Sequence, residues 1–138
     1  MGFILVGIVA IATALVVSRG WAAARVDDDS PRTIDVEMRF SRFVAPSFDV
    51  APGETVRFVV HNADPIDHEF ILGDDEVQRV HEEGTEAHHP GRPGEMSVAP
   101  GETSVTIYTF PTAPTTLLLG CHLPGHYGYG MRADVRVA

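Results

Sequence analysis

Gly120-Cys121-His122-Leu123-Pro124-Gly125-His126-Tyr127-Gly128-Tyr129-Gly130-Met131 gathers a thiol, an imidazole and a thioether into one short segment, spaced Cys-x4-His-x4-Met. Residues this close cannot belong to separate elements. Pro124 and the glycines at 125, 128 and 130 supply the turns that let the three side chains converge. Taken singly, Cys121 or Met131 reads as apolar core filler. Taken in order, with His126 between them, they read as a loop clasping an ion. Sulfur donors with imidazole favour copper, and a trigonal His2Cys site with a long, weak axial Met is the electron-transfer arrangement for that metal. The loop supplies one histidine, so a second has to come from elsewhere in the chain.

Working outward, Thr116 to Cys121 carries Leu117, Leu119 and Cys121 on one side, and Met131 opens an alternation with Ala133, Val135 and Val137 inward and Arg132, Asp134 and Arg136 outward. The loop therefore joins two strands, and both sulfurs point inward from strand ends. Upstream, Thr33 to Phe40 alternates with Ile34, Val36, Met38 and Phe40 on one face, and Phe48 and Val50 continue that pattern. Thr55 to His61 turns Val56, Phe58 and Val60 inward, and Ser104 to Phe110 is the next strand after a long excursion. The phrase Val50-Ala51-Pro52-Gly53-Glu54-Thr55 recurs as Val98-Ala99-Pro100-Gly101-Glu102-Thr103, one turn solution used twice. Many short strands, frequent turn signals and little helix predict an all-β fold, a Greek-key β-sandwich whose loops cluster at its two ends.

That clustering decides the missing histidine. His68 opens the strand His68 to Leu72 directly after the corner Asn62 to Asp67, whereas His61 closes its own strand, so His68 is the fourth donor. Asn62 is either a tie between that corner and the ligand loop or a plain turn residue. His122, next to Cys121, is expected to point away from the ion. Gly73 to Met96 is the least regular stretch, with a short helix from Asp75 to Glu83 and a loop through Pro90 to Gly94. It reads as a solvated excursion or, through His81, His88 and His89 among carboxylates, as an auxiliary metal-collecting surface.

Residues 1–24 hold an apolar run from Phe3 to Val17 followed by Arg19 and Ala22-Ala23-Ala24. Fifteen residues suit the apolar region of a secretory signal better than a spanning helix. An uncleaved anchor and a buried helix are the other two readings, and the first two place the folded part outside the cytoplasmic membrane. Residues 25–32 form a charged, Pro-containing linker, and 33–138 form the domain. The net charge of -9, with every basic residue an Arg, excludes a basic stripe for nucleic acid. A single Cys allows no internal disulfide, and metal coordination would protect an exported thiol from oxidation.

Residues 33–138 resemble the cupredoxin, or blue-copper, family. The resemblance rests on Cys121 to Met131, on His68-Glu69-Phe70, and on Ala51-Pro52-Gly53-Glu54-Thr55-Val56-Arg57-Phe58. It is nearest to small exported plastocyanin-like proteins, including those of bacterial copper tolerance. It implies one copper ion on His68, Cys121, His126 and Met131, and one-electron transfer by a monomer outside the cytoplasmic membrane, with no enzymatic turnover. The partner would be a redox protein or a copper donor or acceptor, with membrane contact through an uncleaved N-terminus. Copper sequestration without redox turnover is the alternative. A zinc site is disfavoured because zinc rarely recruits Met.

Overall fold

A computed structural model of the chain describes residues 30–44, 48–84 and 91–138. The apolar run at the N-terminus, Pro46, His88 and His89 lie outside them. The described residues form nine strands and one helix, in order β1 (Arg32–Met38), β2 (Phe43–Val44), β3 (Asp49–Val50), β4 (Thr55–Asn62), β5 (His68–Gly73), α1 (Asp75–Glu83), β6 (Glu95–Val98), β7 (Thr103–Thr109), β8 (Thr115–Gly120) and β9 (Arg132–Val137). They form a four-stranded sheet, β2-β1-β4-β7, and a five-stranded sheet, β3-β9-β8-β5-β6. Most neighbours are antiparallel, but β1 runs parallel to β4 and β3 parallel to β9.

The core fills the space between the sheets. Ile34, Val36, Met38, Val56, Phe58 and Val60 enter from the first, and Phe70, Leu72, Met96, Val98, Leu117, Leu119, Val135 and Val137 from the second. Period-two alternation puts each set on one face, and burying it supplies the main favourable term of folding. Phe58 sits at the centre, its ring 5.2 Å from Phe70, 5.8 Å from Phe48 and 6.4 Å from Phe110.

The repeated phrase folds the same way both times. Glu54 N–H donates to Ala51 O and Glu102 N–H to Ala99 O, each at 3.0 Å, and each Glu carboxylate accepts from the Ala N–H three residues before it. Gly53 and Gly101 take φ of 77° and 73°, the left-handed conformation this turn demands of the residue after proline.

Two expectations fail. Phe40 does not continue the inward face of β1 but is 83% exposed, because Phe40 and Ser41 both adopt positive φ (54° and 50°) and donate their N–H groups to the Asp64 carboxylate. The segment Gly73 to Met96 is also less irregular than its sequence suggests. Glu95–Val98 is a strand paired along β5, while Asp75–Glu83 is the expected helix, with Asp74 accepting from Val77 N–H as its N-cap. No helix among the described residues is long and apolar enough to cross a membrane.

Candidate metal centre

Strand register alone brings the donors to one end of the second sheet. β8 and β5 are antiparallel with Gly120 opposite Ile71, so the chain beyond Gly120 continues alongside the start of β5. Cys121 thereby meets His68 and Glu69. β9 begins opposite Gly120, and Cys121 N–H donates to Met131 O (3.2 Å), which closes the loop at its neck. Inside the loop, His126 N–H bonds Leu123 O and Met131 N–H bonds His126 O, both at 2.9 Å. Gly125 and Gly130 take φ of 87° and 95°, which a side chain would strain.

Three donor atoms converge. His68 Nδ1 and His126 Nδ1 are 3.2 Å apart, and Cys121 Sγ lies 3.9 Å from the first and 3.3 Å from the second. His68 and Cys121 are completely buried and His126 is half-buried. Among the described residues this is the one group of His, Cys and carboxylate side chains close enough to hold an ion together. Met131 is fully buried at the base of the loop. His61, the competing histidine, is exposed at the end of β4 and pairs with Thr103 Oγ1 instead.

The neighbours prepare these donors for a cation. His68 Nε2 lies 2.8 Å from Asp64 Oδ2, an ionised carboxylate that can only accept. Nε2 therefore carries the hydrogen, and Nδ1 turns a lone pair to the centre. Burial raises the Asp64 pKa, but the hydrogen bonds from Ser41 N–H, His68 and Phe40 N–H outweigh it and hold the carboxyl below its ordinary value. Burial pushes the Cys121 thiol up to about 11, against the partial relief of N–H groups from Glu69 and Leu123. A thiol that resists ionisation by itself is deprotonated by a metal, so loading expels a proton. Burial, then the neighbouring His68, lowers the His126 pKa, with Asp64 pulling the other way. One imidazole with its lone pair turned to the centre, a second imidazole and a thiol suit copper, and the set fits the ion that the loop spacing implies.

Asp64 and Glu69 are residues that sequence reasoning missed. Glu69 N–H points at Cys121 Sγ (3.3 Å), and its carboxylate accepts the N–H of His122 (3.1 Å), so one residue orders two positions of the loop. Asn62 is fully buried and donates to Ile66 O and Val98 O while accepting from Asp64 N–H. It therefore secures the corner that carries Asp64 and His68 rather than the ligand loop. His122 points away from the three donors, as expected, and bonds Gln78 Oε1 at 2.7 Å.

Comparison with known proteins gives concordant results. Residues 33–138 match the family of copper binding proteins described as plastocyanin/azurin. The chain is 34% identical over 110 residues to the copper-resistant cuproprotein CopI of Rubrivivax gelatinosus, an alignment covering 77% of this chain and 66% of that protein. It is 29% identical over 138 residues to the CopI of Pseudomonas aeruginosa, covering 77% and 76%. Among solved structures, the dithionite-reduced auracyanin of Roseiflexus castenholzii superposes with a TM-score of 0.63 at 24% identity, covering 79% of this chain and 98% of its own.

Proposed function

Since the chain belongs to the plastocyanin/azurin family of copper-binding proteins, with one copper ion as its cofactor, we propose that it is a one-electron carrier working outside the cytoplasmic membrane rather than an enzyme. His68 Nδ1, Cys121 Sγ, His126 Nδ1 and the Met131 thioether are the ligands. The observation that carries this reading is the convergence of three buried or half-buried donors, one of them with its tautomer set by Asp64.

The bound ion would supply a single electron, cycling between Cu(I) and Cu(II). Everything else falls to the chain. The bonds at the neck of the loop and the Asp64 bond to His68 hold the donors in one arrangement, a compromise between the thiolate-rich field that Cu(I) favours and the flatter, imidazole-rich field of Cu(II). A site that does not rearrange exchanges electrons with little reorganisation. The Cys121 thiol gives up its proton on loading, and its Sγ is then held by Glu69 N–H. His126 is half-buried beside exposed Pro124 and Gly125, which makes it the port through which a redox partner exchanges electrons.

A second reading, copper sequestration in tolerance, is favoured by the similarity to copper-resistant cuproproteins and by the acidic, histidine-bearing segment after β5. In the carrier reading the Cu(II) form shows an intense visible thiolate-to-copper band that disappears in Cys121→Ser, and stopped-flow mixing with a small redox protein exchanges electrons rapidly. A colourless copper-loaded protein defeats the ligand set, and a coloured protein that exchanges slowly leaves sequestration.

A further inference from the structure

The side chain that α1 turns fully inward is polar. Val80 is 52% exposed and Val77 half-buried, whereas Gln78 is only 3% exposed and is the buried residue of the helix. An amide leaves water at a cost unless its polar atoms find partners. Those of Gln78 all do. Its Nε2 donates to Ile71 O (3.1 Å) and Leu118 O (2.9 Å), carbonyls of β5 and β8. With both hydrogens committed there, its Oε1 accepts from His122 Nε2 at 2.7 Å. One side chain thus joins the helix to the strand that His68 opens, to the strand that ends just before Cys121, and to the ligand loop.

Both chain neighbours of Cys121 meet that amide. On one side, a Cβ on Gly120 would stand 2.6 Å from Gln78 Oε1 and 2.9 Å from the Tyr127 ring. Any larger residue at 120 has to displace the amide or the ring, so the strand comes as near the helix as glycine alone permits. On the other side is His122. Gln78 holds its ring through Nε2, and Tyr127 stacks on its face with centroids 4.6 Å apart and an interplanar angle of 20°. Its backbone N–H donates to the Glu69 carboxylate, so main chain and ring are held independently. Turning the backbone to swing Cys121 Sγ away from His68 and His126 would carry Gly120 or His122 off Gln78.

We propose that Gln78 is a positioning residue for the metal-binding thiolate: acting through His122, with Gly120 packed against its amide, it fixes the direction from which Cys121 Sγ meets the ion. The inference rests on Cys121 being a ligand, as in the function proposed above. The direction of Sγ sets how well its orbitals meet the ion, and a sulfur that cannot turn between oxidation states adds little reorganisation. The helix of the excursion after β5 thus serves the centre from outside the sheet, with no donor atom of its own.

Two substitutions and their combination test this. Gln78→Met keeps the length of the side chain and removes all three bonds, whereas His122→Phe keeps a ring on Tyr127 and leaves the helix bonded to both strands. In the copper-loaded full chain, the visible thiolate-to-copper band, the Cu–S stretching frequencies and the rate of electron self-exchange are compared. Each single change is expected to move the band and the frequencies and to slow self-exchange about tenfold, the scale for groups that orient metal ligands. The double variant should be no slower than Gln78→Met alone, because both changes break one connection. Losses that multiply in the double variant, or a His122→Phe chain that matches the unaltered one, reduce Gln78 to helix packing and overturn the role. His122→Phe leaves the helix untouched, so it decides the question even where Gln78→Met fails to fold. An unaltered chain without a thiolate-to-copper band defeats the ligand set and this inference with it; an ordinary band that neither variant moves defeats the positioning role alone.

Discussion

Asp64 accepts three hydrogen bonds, from Phe40 N–H (2.7 Å), Ser41 N–H (2.8 Å) and His68 Nε2 (2.8 Å), and this single carboxylate decides which nitrogen of His68 is available to a metal. In Asp64→Asn the amide oxygen can still satisfy a backbone donor, but the amide nitrogen then faces His68 Nε2 as a donor. The imidazole answers by moving its hydrogen to Nδ1, where the ion should sit. Copper affinity is therefore expected to fall about 10- to 100-fold, the range for partners that orient metal-binding histidines. Competition with a chelator of known affinity measures it, and an unchanged affinity would remove Asp64 from any role at the centre. The proposed ligands were legible in the sequence because Cys121, His126 and Met131 carry distinctive chemistry at a spacing a loop can close. Asp64 and Glu69 were not, since a carboxylate beside proline in a turn, or alternating along a strand, looks like any solvated charge until register shows what it faces.

At the scale of elements, the two copies of the Ala-Pro-Gly-Glu-Thr turn differ in what reaches the Glu carboxylate: Arg32 of β1 donates to Glu54 at 2.6 Å, and Ser104 Oγ donates to Glu102 at 2.9 Å. The Arg32 bond lowers the Glu54 pKa, burial opposes it, and the Ala51 N–H adds to it. A depressed carboxylate contributes stability that is complete above its ordinary pKa and is lost as pH falls through the folded value. Arg32→Gln should therefore destabilise the domain by about 0.5 kcal/mol at pH 7, a partly exposed pair being screened by solvent. The gap should close as Glu54 protonates in acid. Urea denaturation at pH 7 and near pH 3 checks it, and a gap that persists in acid would assign the effect to packing of the Arg stem. Strands with an apolar face and a polar one, such as Thr55–Asn62 and Arg132–Val137, were readable from alternation alone. Glu95–Val98 was not, because four residues directly after a Pro- and Gly-rich loop are too short a run for alternation to stand out, and only its pairing along β5 shows it as a strand. The end of β1 was hidden for a different reason: Phe40 fits the alternation, and only the Asp64 carboxylate, distant in sequence, shows why the backbone leaves the strand there.

Across the whole molecule, the proposed ligands all belong to the second sheet and its β8–β9 loop, whereas Asp64 follows β4 and its partners Phe40 and Ser41 follow β1, both strands of the first. The Asp64–His68 bond therefore ties the metal end of one sheet to the other across the sandwich. An ion bound only by the folded state, at a free concentration a hundredfold above its dissociation constant, adds about 2.7 kcal/mol. For a domain of this size that is a rise of roughly 10 °C in Tm. The rise should vanish in Cys121→Ser. Because the tie reaches the first sheet, copper loading should slow amide exchange in β1 and β4 as well as in β5, β8 and β9. Exchange resolved residue by residue, in the copper-free and copper-loaded chain, reads this directly. Protection confined to the loop from Cys121 to Met131 would mean that the ion is held locally and that the two sheets do not share its binding energy.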